Sequence, residues 1–311
     1  MRGQDAAFLL LSLGTMIVGV FLPFLAEPLQ WLPSMTMLTL LFVSFLSIDG
    51  LEVWHNMLHF PGAVMLLIVV KLVIMPLACW AVFVPIVPEY ALGAALLGGS
   101  ATAVAAPFLA FIVQADHVLV LVGLVTTSLL LPFVLPAVLA FVSSVAQVRG
   151  GINVDLPVWS MAANLAVMTV VPFIAAQFLR RRGARITTVI LSRRHPIFLA
   201  CISLSNIAIF SRYSEVILQS PQQVLVAFTG AVLVFAVLFI LSVAVTWWMP
   251  PAKQLAFVIS CVAMNNVLML ILSVEFFSVT EALLAAAYAV PFFGSVVFYR
   301  ILARLRGHDP R

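Results

Sequence analysis

The sequence predicts an all-α polytopic membrane protein of ten transmembrane helices, arranged as two inverted five-helix repeats with discontinuous helices at the fourth and ninth positions. Three observations carry that expectation. Hydrophobic residues make up 64% of the chain and charged residues 8%, with a mean hydropathy of +1.23, whereas a soluble domain carries about 25% charged residues. The 15 basic and 11 acidic residues among 311 positions cannot clothe a soluble surface, and disorder needs the opposite composition. Apolar runs also recur along the whole chain at the length of about 20 residues that a ~30 Å hydrocarbon core demands. Finally, polar or glycine-rich interruptions fall in the fourth and ninth of those runs, at matching places in the two halves.

The predicted spans are residues 6–23, 32–49, 63–86, 90–113, 117–145, 156–180, 195–212, 221–248, 252–275 and 279–303. The first follows Met1 and Arg2 and lacks a small-residue cleavage site, so it reads as a span rather than a signal peptide. Residues 1–311 form one transmembrane transporter domain on this reading, with 1–150 as the first repeat and 151–311 as the second. An odd number of spans per half makes the second half enter from the opposite side, which defines an inverted repeat.

Basic residues set the orientation. With both termini cytoplasmic, the inner side holds Arg2, Arg180, Arg181, Arg182, Arg185, Arg193, Arg194, Lys253, Arg300, Arg304, Arg306 and Arg311, while Arg149 and Arg212 fall outside. That bias fits a multi-pass protein of a bacterial-type inner or plasma membrane. The net charge of +4 therefore reports membrane orientation, and no nucleic-acid partner is expected. Cys79, Cys201 and Cys261 each lie in an apolar stretch, with no disulfide framework or Cys-x-x-Cys metal motif.

The fourth run carries Leu97-Gly98-Gly99-Ser100-Ala101-Thr102 and then Pro107; the ninth carries Ser260-Cys261-Val262-Ala263-Met264-Asn265-Asn266. Glycine and serine in such helices commonly serve close packing. Two interruptions at matched repeat positions, one with adjacent asparagines, point instead to paired broken helices around a midplane binding site. Freed amides and carbonyls at each break direct partial charges into the cavity. Gly98, Gly99 and Met264 are the hinge candidates.

At these residues the chain resembles the bile acid:sodium symporter-like family, within a superfamily that includes arsenite efflux permeases. The resemblance spans nearly the whole chain. It rests on Lys71-Leu72-Val73-Ile74-Met75-Pro76-Leu77, on Gly98-Gly99-Ser100-Ala101-Thr102, on Val125-Thr126-Thr127-Ser128 followed by Pro132 and Pro136, and on Met264-Asn265-Asn266. It implies a panel domain and a core domain, unwound fourth and ninth spans that cross, and a small organic anion as substrate, carried with sodium. Ser100, Thr102, Asn265 and Asn266 are the substrate-binding candidates it implies.

The sequence departs from that pattern at the sodium ligands. Cys261 stands where the family has Glu, Asn265 where it has Gln, and Thr102-Ala103 where it has Ser-Asn; Val120 and Leu124 replace hydroxyls early in the fifth span. A hard cation needs several oxygen ligands, so two-sodium coupling is not expected and no cofactor is called for. Lys71 replaces a family Gln that binds sodium, and lies about 12 Å of helix rise from the start of its span at Ala63. An ammonium at that depth costs roughly 2.5–3.5 kcal/mol, so such residues face a cavity or a partner. The expectation is that Lys71 stands in for a cation or couples protons, bonding the carbonyls and side-chain oxygens of the break in the ninth span, with Asn265 and Asn266 nearest. The alternative is a structural ammonium that locks the core without titrating.

Other residues receive plainer readings. Glu52, His55 and His59 have a spacing compatible with a metal but read as solvated or lipid-facing, and no metal is expected. Asp116 reads as a helix cap before His117. Asn164 and Asn206 read as interhelical hydrogen-bonding groups. Pro76, Pro107, Pro132 and Pro136 read as kinks, and Trp31, Trp247 and Trp248 as interfacial aromatics. An intramembrane enzyme is disfavoured: no Asp lies deep in a span, no His neighbours Ser100, and Glu275 lacks an acidic partner. An arsenite-type efflux permease lacks its cysteine in the fourth span. A non-transporting scaffold or sensor that keeps the fold is the remaining alternative. Substrate identity, direction of transport, sodium or proton coupling, and oligomeric state all stay open at this level.

Overall fold

The computed structural model describes residues 3–48, 61–148 and 157–308. Glu52, His55 and His59, as well as Arg2, Arg149 and Arg311, lie outside the described residues. Among those described, the chain is helical almost throughout. Helices run over Gly3–Phe21 (α1), Leu32–Leu46 (α2), Pro61–Val69 (α3), Met75–Ile86 (α4), Ala91–Gly98 (α5), Ala106–Ile112 (α6), His117–Val148 (α7) and Val158–Arg182 (α8). They continue over Ala184–Ser192 (α9), Arg194–Arg212 (α10), Ser214–Gln219 (α11), Pro221–Val245 (α12), Pro251–Val262 (α13), Asn266–Phe276 (α14), Val279–Ala287 (α15) and Ala289–Leu305 (α16).

Five stretches are long and apolar enough to cross a membrane: Pro61–Ile86, His117–Val145, Val158–Arg182, Pro221–Val245 and Val279–Leu305. The bent pair Ala184–Ser192 and Pro196–Arg212 makes a sixth if counted as one span. The protein is thus an integral multi-pass membrane protein. The fourth and ninth predicted spans each consist of two short helices instead of one long one. Pro107 occupies the first turn of α6, so it opens a helix rather than kinking one, as a residue without an N–H is suited to do.

Two compact units divide the chain. The first comprises Met1–Asp49 and Met168–Thr229, the second Gly50–Val167 and Gly230–Arg311, so each draws on both halves of the sequence. In the first unit α1 and α10 approach closely at Gly19, where an added Cβ would lie 2.8 Å from the Ile207 carbonyl oxygen. Asn206 donates to Thr15 Oγ1 at 3.3 Å in the same pairing, which is the interhelical role read from the sequence. The C-terminus of α2 is closed by side chains: Gln177 Nε2 donates to Phe45 and Ile48 carbonyls at 3.2 and 3.1 Å, and Arg180 Nη1 to Leu46 at 3.1 Å. These satisfy carbonyls that a helix end otherwise leaves open.

In the second unit, Asp116 Oδ1 accepts the Leu119 N–H at 3.1 Å, capping α7 as expected. Asn164 donates to the Glu275 carboxylate. Ser278 and Glu281 form a capping box at the start of α15, a pairing visible in the sequence as Ser-Val-Thr-Glu. Arg306 stacks on Trp247, 4.6 Å from the ring centroid, and donates to the Trp247 and Met249 carbonyls.

Candidate functional site

The site is assembled in the second unit from three irregularities. The first is in the third span. Pro76 has no N–H and its ring collides with the carbonyl four residues back in a regular helix. The chain meets this with one wide turn at Val70–Ile74, in which the Met75 N–H reaches the Val70 carbonyl. Such single wide turns concentrate at functional sites. Lys71 sits within it, fully buried.

The second and third irregularities are the two breaks. Helix α5 ends at Gly98 and α6 begins at Ala106; α13 ends at Val262 and α14 begins at Asn266. Between them Thr102 and Met264 pair as an isolated antiparallel bridge. Ala103 N–H donates to the Ala263 carbonyl at 2.7 Å, and Asn265 N–H to Ala101 at 2.9 Å. The unwound stretches therefore satisfy one another, which apolar surroundings require. Gly98 and Gly99 let the first break lie close against α4 and α7. An added Cβ at Gly98 would lie 2.9 Å from the Met75 carbonyl oxygen, and one at Gly99 would lie 2.6 Å from Leu135 Cδ1.

A helix end leaves its final carbonyls without partners and carries partial negative charge. At the end of α13 every one of them is met by a donor of this chain. Thr102 Oγ1 donates to Ser260 at 3.0 Å, Lys71 Nζ to Cys261 at 2.5 Å, and Tyr288 Oη to Val262 at 2.9 Å. The Ala103 amide takes Ala263. Thr127 Oγ1 holds the other side of the crossing by accepting the Thr102 N–H at 3.1 Å while donating to Gly123 at 2.7 Å.

Of the residues singled out in the sequence, Lys71, Thr102, Ala103, Cys261 and Met264 come together here. The Lys71 ammonium bonds a main-chain carbonyl of the second break, as expected, and that carbonyl is Cys261's; Asn265 and Asn266, expected nearest, are not its hydrogen-bond partners. Asn265 instead caps α14, its Oδ1 accepting the Leu268 N–H at 3.3 Å. Among the described residues its Nδ2, Asn266 Oδ1 and Ser128 Oγ have no hydrogen-bond partner. Ser100 is fully buried, with only a long 3.4 Å contact from its hydroxyl to Ala101. Tyr288 was not among the sequence candidates. Its signal was a tyrosine in the middle of an apolar span, where that residue more often sits at the membrane interface.

Tyr288→Phe isolates one of these bonds. The Val262 carbonyl becomes a buried acceptor without a donor, at a cost of about 1–3 kcal/mol. Thermal unfolding in detergent is expected to show that loss, and an unchanged melting temperature would remove Tyr288 from the site.

Two broken helices bridged at their breaks are an arrangement that membrane transport proteins use. Residues 35–220 match the Sodium Bile acid symporter family, more than half of the chain, and the protein belongs to that family. Its general type is the sodium-coupled, bile-acid-type transporter, and its members are transporters rather than enzymes. The matched stretch includes Lys71, the first break and Thr127, and stops short of the second break. No curated protein matches the chain.

Proposed function

We propose that this protein is a secondary transporter of a small organic anion, working by alternating access without classical two-sodium coupling, in which Lys71 supplies the positive charge that a bound cation provides elsewhere. The observation that carries this reading is the Lys71 ammonium on the Cys261 carbonyl. The negative end of a half-helix is where transporters of this architecture hold a coupling ion. Here the four last carbonyls of α13 already have donors from the chain itself, and a hard cation needs several free oxygens. The unpartnered Asn265 Nδ2, Asn266 Oδ1 and Ser128 Oγ supply hydrogen-bonding capacity for a polar substrate, with Ser100 and Thr102 at the first break.

The same reading takes the ten spans read from the sequence as ten crossings in two inverted repeats, 1–150 and 151–311, with both termini cytoplasmic in a bacterial-type inner or plasma membrane. Protons are the candidate coupling ion, through Lys71.

Ligand-induced thermal stabilisation tests it. Small hydroxy acids, keto acids, bile acids and arsenite are compared in sodium and in choline at two pH values. A ligand at a hundred times its Kd stabilises by about 2.7 kcal/mol. The expected result is stabilisation by an organic anion that is equal in sodium and choline. A response that requires sodium overturns the role given to Lys71, and a response to arsenite alone overturns the substrate class. Change with pH at constant ligand identifies proton coupling.

A further inference from the structure

We infer that α9 and the arginines around it form a docking surface for the headgroups of anionic phospholipids. Residues 180–194 contain Arg180, Arg181, Arg182, Arg185, Arg193 and Arg194, and no acidic residue occurs from Leu156 to Ser214. The positive-inside tendency accounts for the sign of this segment. It does not account for the helix inside it.

Helix α9, Ala184–Ser192, is bent by 63° from Pro196–Arg212. Spanning helices tilt by about 20° on average, so a segment bent this far from one runs closer to the membrane plane. Its residues divide into three arcs at helical spacing. Thr187 is buried and Ile190 and Leu191 are half-buried, facing the protein. Ile186 and Val189 are 56% and 59% exposed and adjoin one another on the second arc. Arg185, Thr188 and Ser192, all exposed, fill the third. A helix with one side on protein, one apolar side free and one polar side carrying arginine has the form of an interfacial helix, its apolar residues dipping among acyl chains.

The arginines are not equivalent. Arg180 is spent on the Leu46 carbonyl, and Arg182 lies over the Phe178 ring at 4.7 Å. Arg181, Arg185, Arg193 and Arg194 are exposed at the two ends and on the polar arc of α9. Guanidinium groups bind phosphate oxygens in bidentate fashion, and clusters of four or more basic residues on an amphipathic helix attract anionic lipid. Each such residue raises partitioning to an anionic surface about five-fold. The inference does not depend on which substrate is carried.

The full-length protein is purified in neutral detergent and its melting temperature followed as phosphatidylglycerol, phosphatidylcholine or inorganic phosphate is added. Phosphatidylglycerol is expected to raise the melting temperature by several degrees, in a manner that fades at high salt, and the other two to leave it unchanged. The variant carrying Arg181→Gln, Arg185→Gln, Arg193→Gln and Arg194→Gln is expected to lose that response. An equal response to phosphatidylcholine, or a full response in the variant, overturns the proposal; a response to phosphate as large as to lipid assigns the site to a free anion and overturns it as well. Should the fourfold variant fail to fold, Val189→Trp in otherwise unaltered protein reads the same surface. The fluorescence it adds to that of the six native tryptophans, read as the difference from the unaltered protein, is expected to be quenched by shallow brominated phosphatidylglycerol in vesicles. An added signal that is not quenched places α9 outside the bilayer surface and removes the site.

Discussion

Replacing Lys71 by Met is expected to abolish high-affinity binding of the transported anion while changing the stability of the protein little. Two terms oppose each other in stability. The Cys261 carbonyl, now bonded at 2.5 Å, becomes a buried acceptor without a partner, at about 1–3 kcal/mol. Against that, the chain no longer buries an ammonium, a relief of roughly 2.5–3.5 kcal/mol on the insertion scale. No such cancellation protects binding. For a carboxylate about 6 Å from the ammonium in an effective dielectric of about 20, the lost attraction is about 3 kcal/mol, or roughly a hundredfold in Kd. Lys71→Gln separates the bond from the charge, because its amide can still donate to the same carbonyl. Isothermal titration of both variants with the anion found by thermal shift decides the matter. Weak binding in both identifies the charge as the functional element. Retained binding in Lys71→Gln shows a structural lock, and the proposed role falls.

Much of this arrangement was legible in the sequence, for identifiable reasons. The breaks could be read because Gly98-Gly99 and Asn265-Asn266 interrupt apolar background, where any polar or glycine-rich stretch stands out. Lys71 could be read because an amine at mid-span is costly wherever it points. Its partners could be read only as the carbonyls and side-chain oxygens of the second break: a main-chain carbonyl is the same at every position, so nothing in the sequence singled out that of Cys261 from those nearer Asn265 and Asn266. Pro107 misled for a related reason. A proline marks a disturbed helix equally well at an opening turn or at a kink, and the choice depends on where the preceding helix stops, here Gly98. Tyr288 shows the limit set by tertiary structure, since its value lies wholly in reaching Val262, twenty-six residues away in the chain. Helix α9 was hidden by length: nine residues are too few for a periodic signal amid arginines.

Gly98→Ala is expected to damage the site at two donors at once, although in most helices the same substitution stabilises. Alanine gains about 1 kcal/mol over glycine from backbone entropy alone. At Gly98, however, the new Cβ would lie 2.9 Å from the Met75 carbonyl oxygen, 3.0 Å from Pro76 Cα and 3.1 Å from Cys79 Sγ. Two of those atoms are main chain and cannot swing aside, so α5 and α4 must separate. Overpacking of this kind costs typically 1–3 kcal/mol. The displacement is delivered to Met75, whose N–H closes the wide turn that holds Lys71, and to the break from which Thr102 reaches Ser260. Two of the four donors at the end of α13 are therefore disturbed together. Gly294 provides the control within the same protein, because nothing lies within 4 Å of a Cβ built there. Gly294→Ala is expected to raise the melting temperature slightly and leave anion binding intact, whereas Gly98→Ala lowers both. If the two substitutions prove alike, the close approach of α5 to α4 is not what shapes the site.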